Sequence, residues 1–157
     1  MADFETVTLT SQPILYVHRK SAIVPEAIGA AMAEAFGTLM GFMQQSGIEI
    51  AGAPLALYRD YNEAETVFDV AVPIAAADAA KAAGHADVKA GETPAGRALK
   101  AIHKGPYEKL SETYDAIMAH IGRAGLKATG PVLECYVTDP DSTPPDEFLT
   151  EIYFPIE

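Results

Sequence analysis

The stretch GPVLECYVTDP, Gly130 to Pro140, followed by FLTEIYFPI, Phe148 to Ile156, restates an earlier one: GAPLALYRDYNEAETVFDVAVPI, Gly52 to Ile74. Both begin on a glycine and a proline, run through a strand ending in tyrosine, turn through charged residues, and close a second strand on Pro-Ile. Such runs of β-branched and aromatic residues between turn-forming residues read as hairpins. Lining up Gly52 with Gly130 places Tyr58 on Tyr136, and lining up the Pro-Ile ends places Asp69 on Glu151. The later hairpin carries a longer loop, Asp141 to Glu147.

The segments before each hairpin match as well. PILYVHRK, Pro13 to Lys20, and RALKAIHKG, Arg97 to Gly105, read as strands, with His18 set against His103. Each leads into a helix. The first is expected from about Pro25 to Gln45, opening on a proline suited to a first helical turn and stopping at Gly47. Ile28, Met32, Ala35, Phe36, Leu39, Met40 and Met43 recur on it at helical spacing. The second is expected from about Tyr107 to Ala124, with Leu110, Tyr114, Ile117, Met118 and Ile121 on one stripe and a stop at Gly125.

The chain is therefore read as one α+β domain over 1–157, a strand-helix-strand-strand unit present twice, at about 4–75 and 95–157. A linker at about 76–94, low in large apolar residues, reads as a loop or a short exposed helix. Neither half buries its sheet alone. Joined edge to edge, they form one antiparallel sheet with both helices on one face and a concave ligand groove on the other.

Composition narrows the function. A chain of 157 residues buries roughly 70% of its unfolded surface without a metal or disulfide staple. A single cysteine, Cys135, allows no intrachain disulfide, the N-terminal MADFETVTLT lacks the features of a signal peptide, and no apolar run reaches membrane-span length. These features point to the cytoplasm and away from a membrane. With 22 acidic against 11 basic residues, a formal charge of −11 and no basic cluster, direct nucleic-acid binding is not expected. His18 and His103 lack the further ligands that zinc takes, and no phosphate-binding glycine loop or nucleophile elbow is present. No metal or cofactor is expected.

HKGPYEKLSETYDAI, GPVLECYVTDP and LTEIYFPI, in this order and spacing, resemble the GyrI-like family, also called the AraC-type effector-binding domain. The most specific pieces are Gly105-Pro106-Tyr107, Glu134-x-Tyr136, Asp139-Pro140 and Thr150-Glu151-Ile152. The resemblance implies binding of hydrophobic, often cationic or aromatic small molecules between the halves by an acidic residue and several tyrosines. It also implies effector sensing in transcription regulators, gyrase inhibition in one free-standing branch, and cyclopropane hydrolysis of DNA-alkylating compounds in another. No helix-turn-helix segment accompanies the domain here, so regulation would need a separate regulator as partner.

Glu134 interrupts the apolar run VLECYV. Alternation puts Val132, Glu134 and Tyr136 on one face and Leu133, Cys135 and Val137 on the other, and the second set reads as the helix-packed side. Glu134 is then a cation anchor in an aromatic groove or an ordinary solvated carboxylate. Tyr136 and Tyr58 either hold a ligand's cationic or flat surface or simply cover the sheet. Tyr107 contacts ligand or staples the second helix. Tyr153 and Glu151 share a face and join the site or guard an edge. Tyr16, Phe36 and Met40 line the first half's side or belong to the core. Cys135 reads as a core thiol.

Three function classes follow. The leading one is a small-molecule-binding protein for sensing or sequestration of toxic compounds. The second is a hydrolase of strained genotoxins using Glu134, with Tyr136 or Tyr107 holding the reacting group. The third is an acidic protein that binds gyrase or a regulator. A monomer and an edge-paired homodimer are both compatible with the sequence.

Overall fold

The structure, a computed structural model, describes residues 4–22, 24–61, 65–82, 85, 87–106, 109–129, 131–138 and 142–157. Among the described residues the chain forms β1 (Phe4–Leu9), β2 (Pro13–Ala22), α1 (Pro25–Ser46), β3 (Leu55–Tyr61), β4 (Glu65–Pro73), β5 (Val88–Glu92), β6 (Gly96–Lys104), α2 (Leu110–Ala124), β7 (Val132–Tyr136) and β8 (Leu149–Pro155). All eight strands pair antiparallel in one sheet ordered β1-β6-β8-β7-β3-β4-β2-β5. Exchanging the two halves strand for strand reverses that order onto itself, which is the signature of a pseudo-two-fold axis.

The two hairpins meet edge to edge through β3 and β7, as expected, with Leu55 opposite Cys135, Ala56 opposite Glu134 and Leu57 opposite Leu133. The offset that carries Gly52 to Gly130 also carries Ala56 to Glu134. The Ala56–Glu134 pair therefore lies on the pseudo-axis, and Glu134 sits at the centre of the molecule with an alanine as its counterpart.

Register also corrects one alignment. Leu15 pairs with Val72 and Leu99 with Phe154, so Leu99 is the counterpart of Leu15, and Arg19, not His18, is the counterpart of His103. A shift of one residue exchanges the faces of a strand. His103 accordingly lies buried on the α2 side, whereas His18 lies on the other face, with Nδ1 2.6 Å from Oδ1 of buried Asp69.

The linker holds a 3-10 turn at Ala76–Ala82 and then β5, which was not anticipated. The His85 ring accepts the N–H groups of Asp87 and Val88 at 3.1 and 2.9 Å, so it organises the approach to that strand. The polar N-terminal segment likewise forms β1. Both are edge strands, and each pairs with the first long strand of the opposite half.

This exchange forces the sheet to curl. Laid flat, β1 and β2 would be six strand spacings apart, roughly 29 Å, yet Leu9 and Pro13 are joined by a link that reaches about 15 Å at most. The edges must come round towards each other. The two short crossovers meet there, Thr93 N–H donating to Gln12 O at 3.0 Å and Gln12 N–H to Thr93 Oγ1 at 2.8 Å.

Curling buries both faces. On one, α1 packs through Ala35, Leu39 and Met43 against Leu15, Val17, Phe68, Val70 and Val72. On the same face α2 packs through Ile117 and Ile121 against Leu99, Ala101, Ile152 and Phe154. The inner face is filled by Ile14, Leu55, Leu57, Ala71 and Leu133. Against the expectation from alternation, Val132, Glu134 and Tyr136 point to the helices, while Leu133 and Cys135 point inward. Alternation separates the faces of a strand, but it cannot say which face carries helices when both are apolar.

The helix stops agree with the repeat: Gly47 and Gly125 close α1 and α2 at φ 69 and 68, each N–H returning to the preceding turn, at Met43 O and Ile121 O. A side chain in this left-handed conformation costs roughly 1–2 kcal/mol. Gly47→Ala and Gly125→Ala should each lower unfolding free energy by about 1 kcal/mol in urea titrations, with Asn costing less at both positions.

Candidate functional site

Glu134 is 2% exposed, and the groups around its carboxylate come from both helices and both hairpins. From α2, Tyr114 donates its hydroxyl to Oε2; from the same strand, Tyr136 donates to Oε1 at 2.9 Å. From α1, the Met32 sulfur lies 4.0 Å from the Tyr58 hydroxyl and 3.9 Å from that of Tyr136. Phe36 meets the Tyr136 ring edge-on at 6.5 Å between centroids. Tyr58 leans on Phe68 at 5.9 Å, and Tyr114 on Phe154 at 5.8 Å. Helical spacing aims Met32 and Phe36 at one place, and strand alternation aims Glu134 and Tyr136 at it from below.

Burial pushes the Glu134 carboxyl above its ordinary range, and the hydrogen bonds from Tyr114 and Tyr136 only partly oppose that. Burial, and then the charge of Glu134, raise Tyr58 and Tyr136 in turn, so both stay protonated donors. Among the described residues no Lys, Arg or His forms an ion pair with Glu134. A buried carboxylate held by hydroxyls alone is stabilised further by any cation that reaches it.

Beside this cluster His103 is fully engaged: its Nδ1 is 2.6 Å from Thr113 Oγ1, and its Nε2 is 3.0 Å from the Pro106 carbonyl. Since a carbonyl only accepts, Nε2 carries a hydrogen and donates it to Pro106 O, while Nδ1 is paired with the threonine hydroxyl. The histidine ties the β6–α2 turn, with Gly105 at φ 125, to the first turns of α2.

Of the expected site residues, Glu134, Tyr136, Tyr58 and Phe36 come together. Tyr16, Glu151 and Tyr153 do not: they lie on the inner face, because their strands place them one residue out of phase with Glu134. There Tyr153 donates to Glu151 Oε1 at 3.0 Å and Lys100 Nζ lies 3.4 Å from Oε2. Glu151 and Tyr153 border a cavity of about 300 Å³ lined also by Leu55, Leu133 and Cys135. The Cys135 thiol is pushed up to about 12, chiefly by burial and then by Glu151 and Glu134, as befits an unreactive thiol. Met40, 42% exposed, lies on the outer side of α1 beside Gly37, Ile48 and Ile50. Tyr107 lies outside the described residues. Sequence reasoning left Tyr114 and Met32 in the core stripes; the polar tip of Tyr114 within an apolar stripe was the available signal.

The chain belongs to the GyrI-like small molecule binding domain family, whose model matches residues 2–157. No curated protein matches it at the sequence level. Among solved structures, the EcmrR C-terminal domain superposes with a TM-score of 0.80 at 20% identity, covering 100% of this chain and 98% of that one. The chain spans 57% of full EcmrR in its DNA complex, with a TM-score of 0.84, 18% identity and 99% of this chain covered. A hydrolase from Listeria innocua aligns at 0.63 and 17% identity over 98% of this chain and 91% of that one. SAV2435 bound to tetraphenylphosphonium aligns at 0.62 and 11% identity over 99% and 94%. At these identities the likeness is one of fold. No helix is long and apolar enough to cross a membrane among the described residues.

Because the folded-state pKa of Glu134 is raised, its contribution to stability is present below the ordinary carboxylate range and lost as pH rises through the raised value. Glu134→Gln should remove that component. Thermal unfolding of the wild type should weaken from pH 5 towards neutrality more than that of the variant. Parallel pH profiles would show that Glu134 is not destabilised by its site.

Proposed function

We propose that this chain captures organic cations with flat or aromatic bodies, seating the charge against Glu134 between α1 and α2. The observation that carries this reading is a carboxylate 2% exposed, bonded to tyrosine hydroxyls and surrounded by rings from both halves. A ligand cation takes the place of the Tyr114 hydroxyl on Oε2, and the faces of Phe36, Tyr58 and Tyr136 add roughly 0.5–2 kcal/mol each where they meet positive charge. The tetraphenylphosphonium complex of SAV2435 supplies a probe of this class. Sensing or sequestration of toxic cations in the cytoplasm, without direct contact to DNA, is the role this binding serves; net charge −11 favours cations at the surface and disfavours phosphates.

One observation favours a second reading. Burial favours the acid form of Glu134, and in that form it is a general acid. It donates its proton to the ring carbon whose C–C bond breaks, water adds to the other carbon, and the carboxylate left behind takes the proton that the water sheds. The likeness to a Listeria hydrolase fits that use of the same site. Incubation with a cyclopropane-bearing alkylator and mass spectrometry decides it, a water adduct that disappears in Glu134→Gln being required.

For the binding reading, calorimetry with tetraphenylphosphonium and neutral triphenylphosphine oxide is the test. Glu134→Gln should weaken the cation by about 10–100-fold, the order of a charge–charge attraction in a partly dry site, and leave the neutral compound within about threefold. Equal loss for both would remove charge selection from Glu134. Lowering the pH below the Glu134 pKa should weaken the cation by about tenfold per unit in wild type only.

A further inference from the structure

Matching the halves by register shows where the second copy is polar and the first apolar. Tyr58 pairs with Phe68 and Tyr136 with Thr150, so Thr150 stands where the first half has a fully buried phenylalanine. Glu134 stands where the first half has Ala56. Both polar replacements face the helices, on adjacent strands of the same hairpin. Phe68 fills its space under α1 and touches Tyr58, whereas Thr150 presents only a methyl and a hydroxyl.

The Thr150 hydroxyl is buried and has no hydrogen-bond partner among the described residues. Its neighbours across the sheet are committed elsewhere. His103, paired with it on β6, has both ring nitrogens engaged, and Tyr136, paired with it on β7, donates to Glu134. An unsatisfied buried hydroxyl costs the folded protein, and an apolar residue of the same shape would avoid that cost.

We infer that Thr150 is the second polar anchor of the Glu134 site, donating a hydrogen bond to an acceptor oxygen on the ligand. Glu134 and Thr150 are diagonal neighbours on β7 and β8, a relation that separates backbones by roughly 7–8 Å. The ligand class is accordingly an organic cation with a carbonyl or ether oxygen across a ring's width from its charge. This inference rests on the cation-binding reading of Glu134.

The test compares 4-acetyl-N,N,N-trimethylanilinium with 4-isopropyl-N,N,N-trimethylanilinium, which match in shape and charge and differ in the acceptor oxygen. Wild type should prefer the acetyl compound by about fivefold, the worth of one hydrogen bond. Thr150→Val should abolish that preference while binding the isopropyl compound as wild type does. Thr150→Ser should keep it, and Thr150→Val should unfold no more readily than wild type. If Thr150→Val keeps the preference, or weakens both compounds alike, Thr150 is not the anchor although Glu134 still holds cations. If neither compound binds wild type, the cation reading fails and this inference with it.

Discussion

A carboxylate removed from water costs several kcal/mol unless charge or hydrogen bonds replace the lost hydration. Glu134 offsets that cost only in part, through the hydroxyls of Tyr114 on α2 and Tyr136 on its own strand. The arrangement holds only while α2 stays seated on the second half and α1 keeps Met32 and Phe36 against Tyr58 and Tyr136. The exchanged edge strands, the curled sheet and the matched glycine stops hold the helices over the centre of the sheet, where Glu134 lies.

Duplication explains both the position of the site and its polarity. A pseudo-two-fold axis gives a symmetric seat between two helices, and a symmetric seat has no preferred orientation for a ligand. Replacement of the counterpart of Ala56 by Glu134, and of the counterpart of Phe68 by Thr150, breaks that symmetry in one half. The first half keeps an apolar wall. Arg19, the counterpart of His103, turns outward instead and clamps Glu34 of α1 and Asp87 before β5 with hydrogen bonds of 2.7–2.9 Å. The two copies thus differ in polarity at matched positions.

Much of this was legible in the residues. The paired hairpins, both long helices and their glycine stops follow from periodicity and turn residues, and Tyr58, Tyr136 and Glu134 stand out in the sequence itself. What failed did so for identifiable reasons. VKAGE and FETVTL carry too little apolar signal to read as strands, because edge strands draw their stability from a partner across the sheet. Setting His18 on His103 matched identical letters rather than identical faces. The face assignment of Tyr16, Glu151 and Tyr153 relative to Glu134 required knowing that the sheet curls, a property of strand order and not of any local pattern.

The most direct test of a cation seat at Glu134 is a carbon-13 NMR titration of its side-chain carboxyl, with and without saturating tetraphenylphosphonium. The account predicts an apparent pKa above the ordinary value of 4.5 in the free protein and a fall once the cation is bound. An ordinary pKa in the free protein, or a raised one that the bound cation does not move, would contradict it.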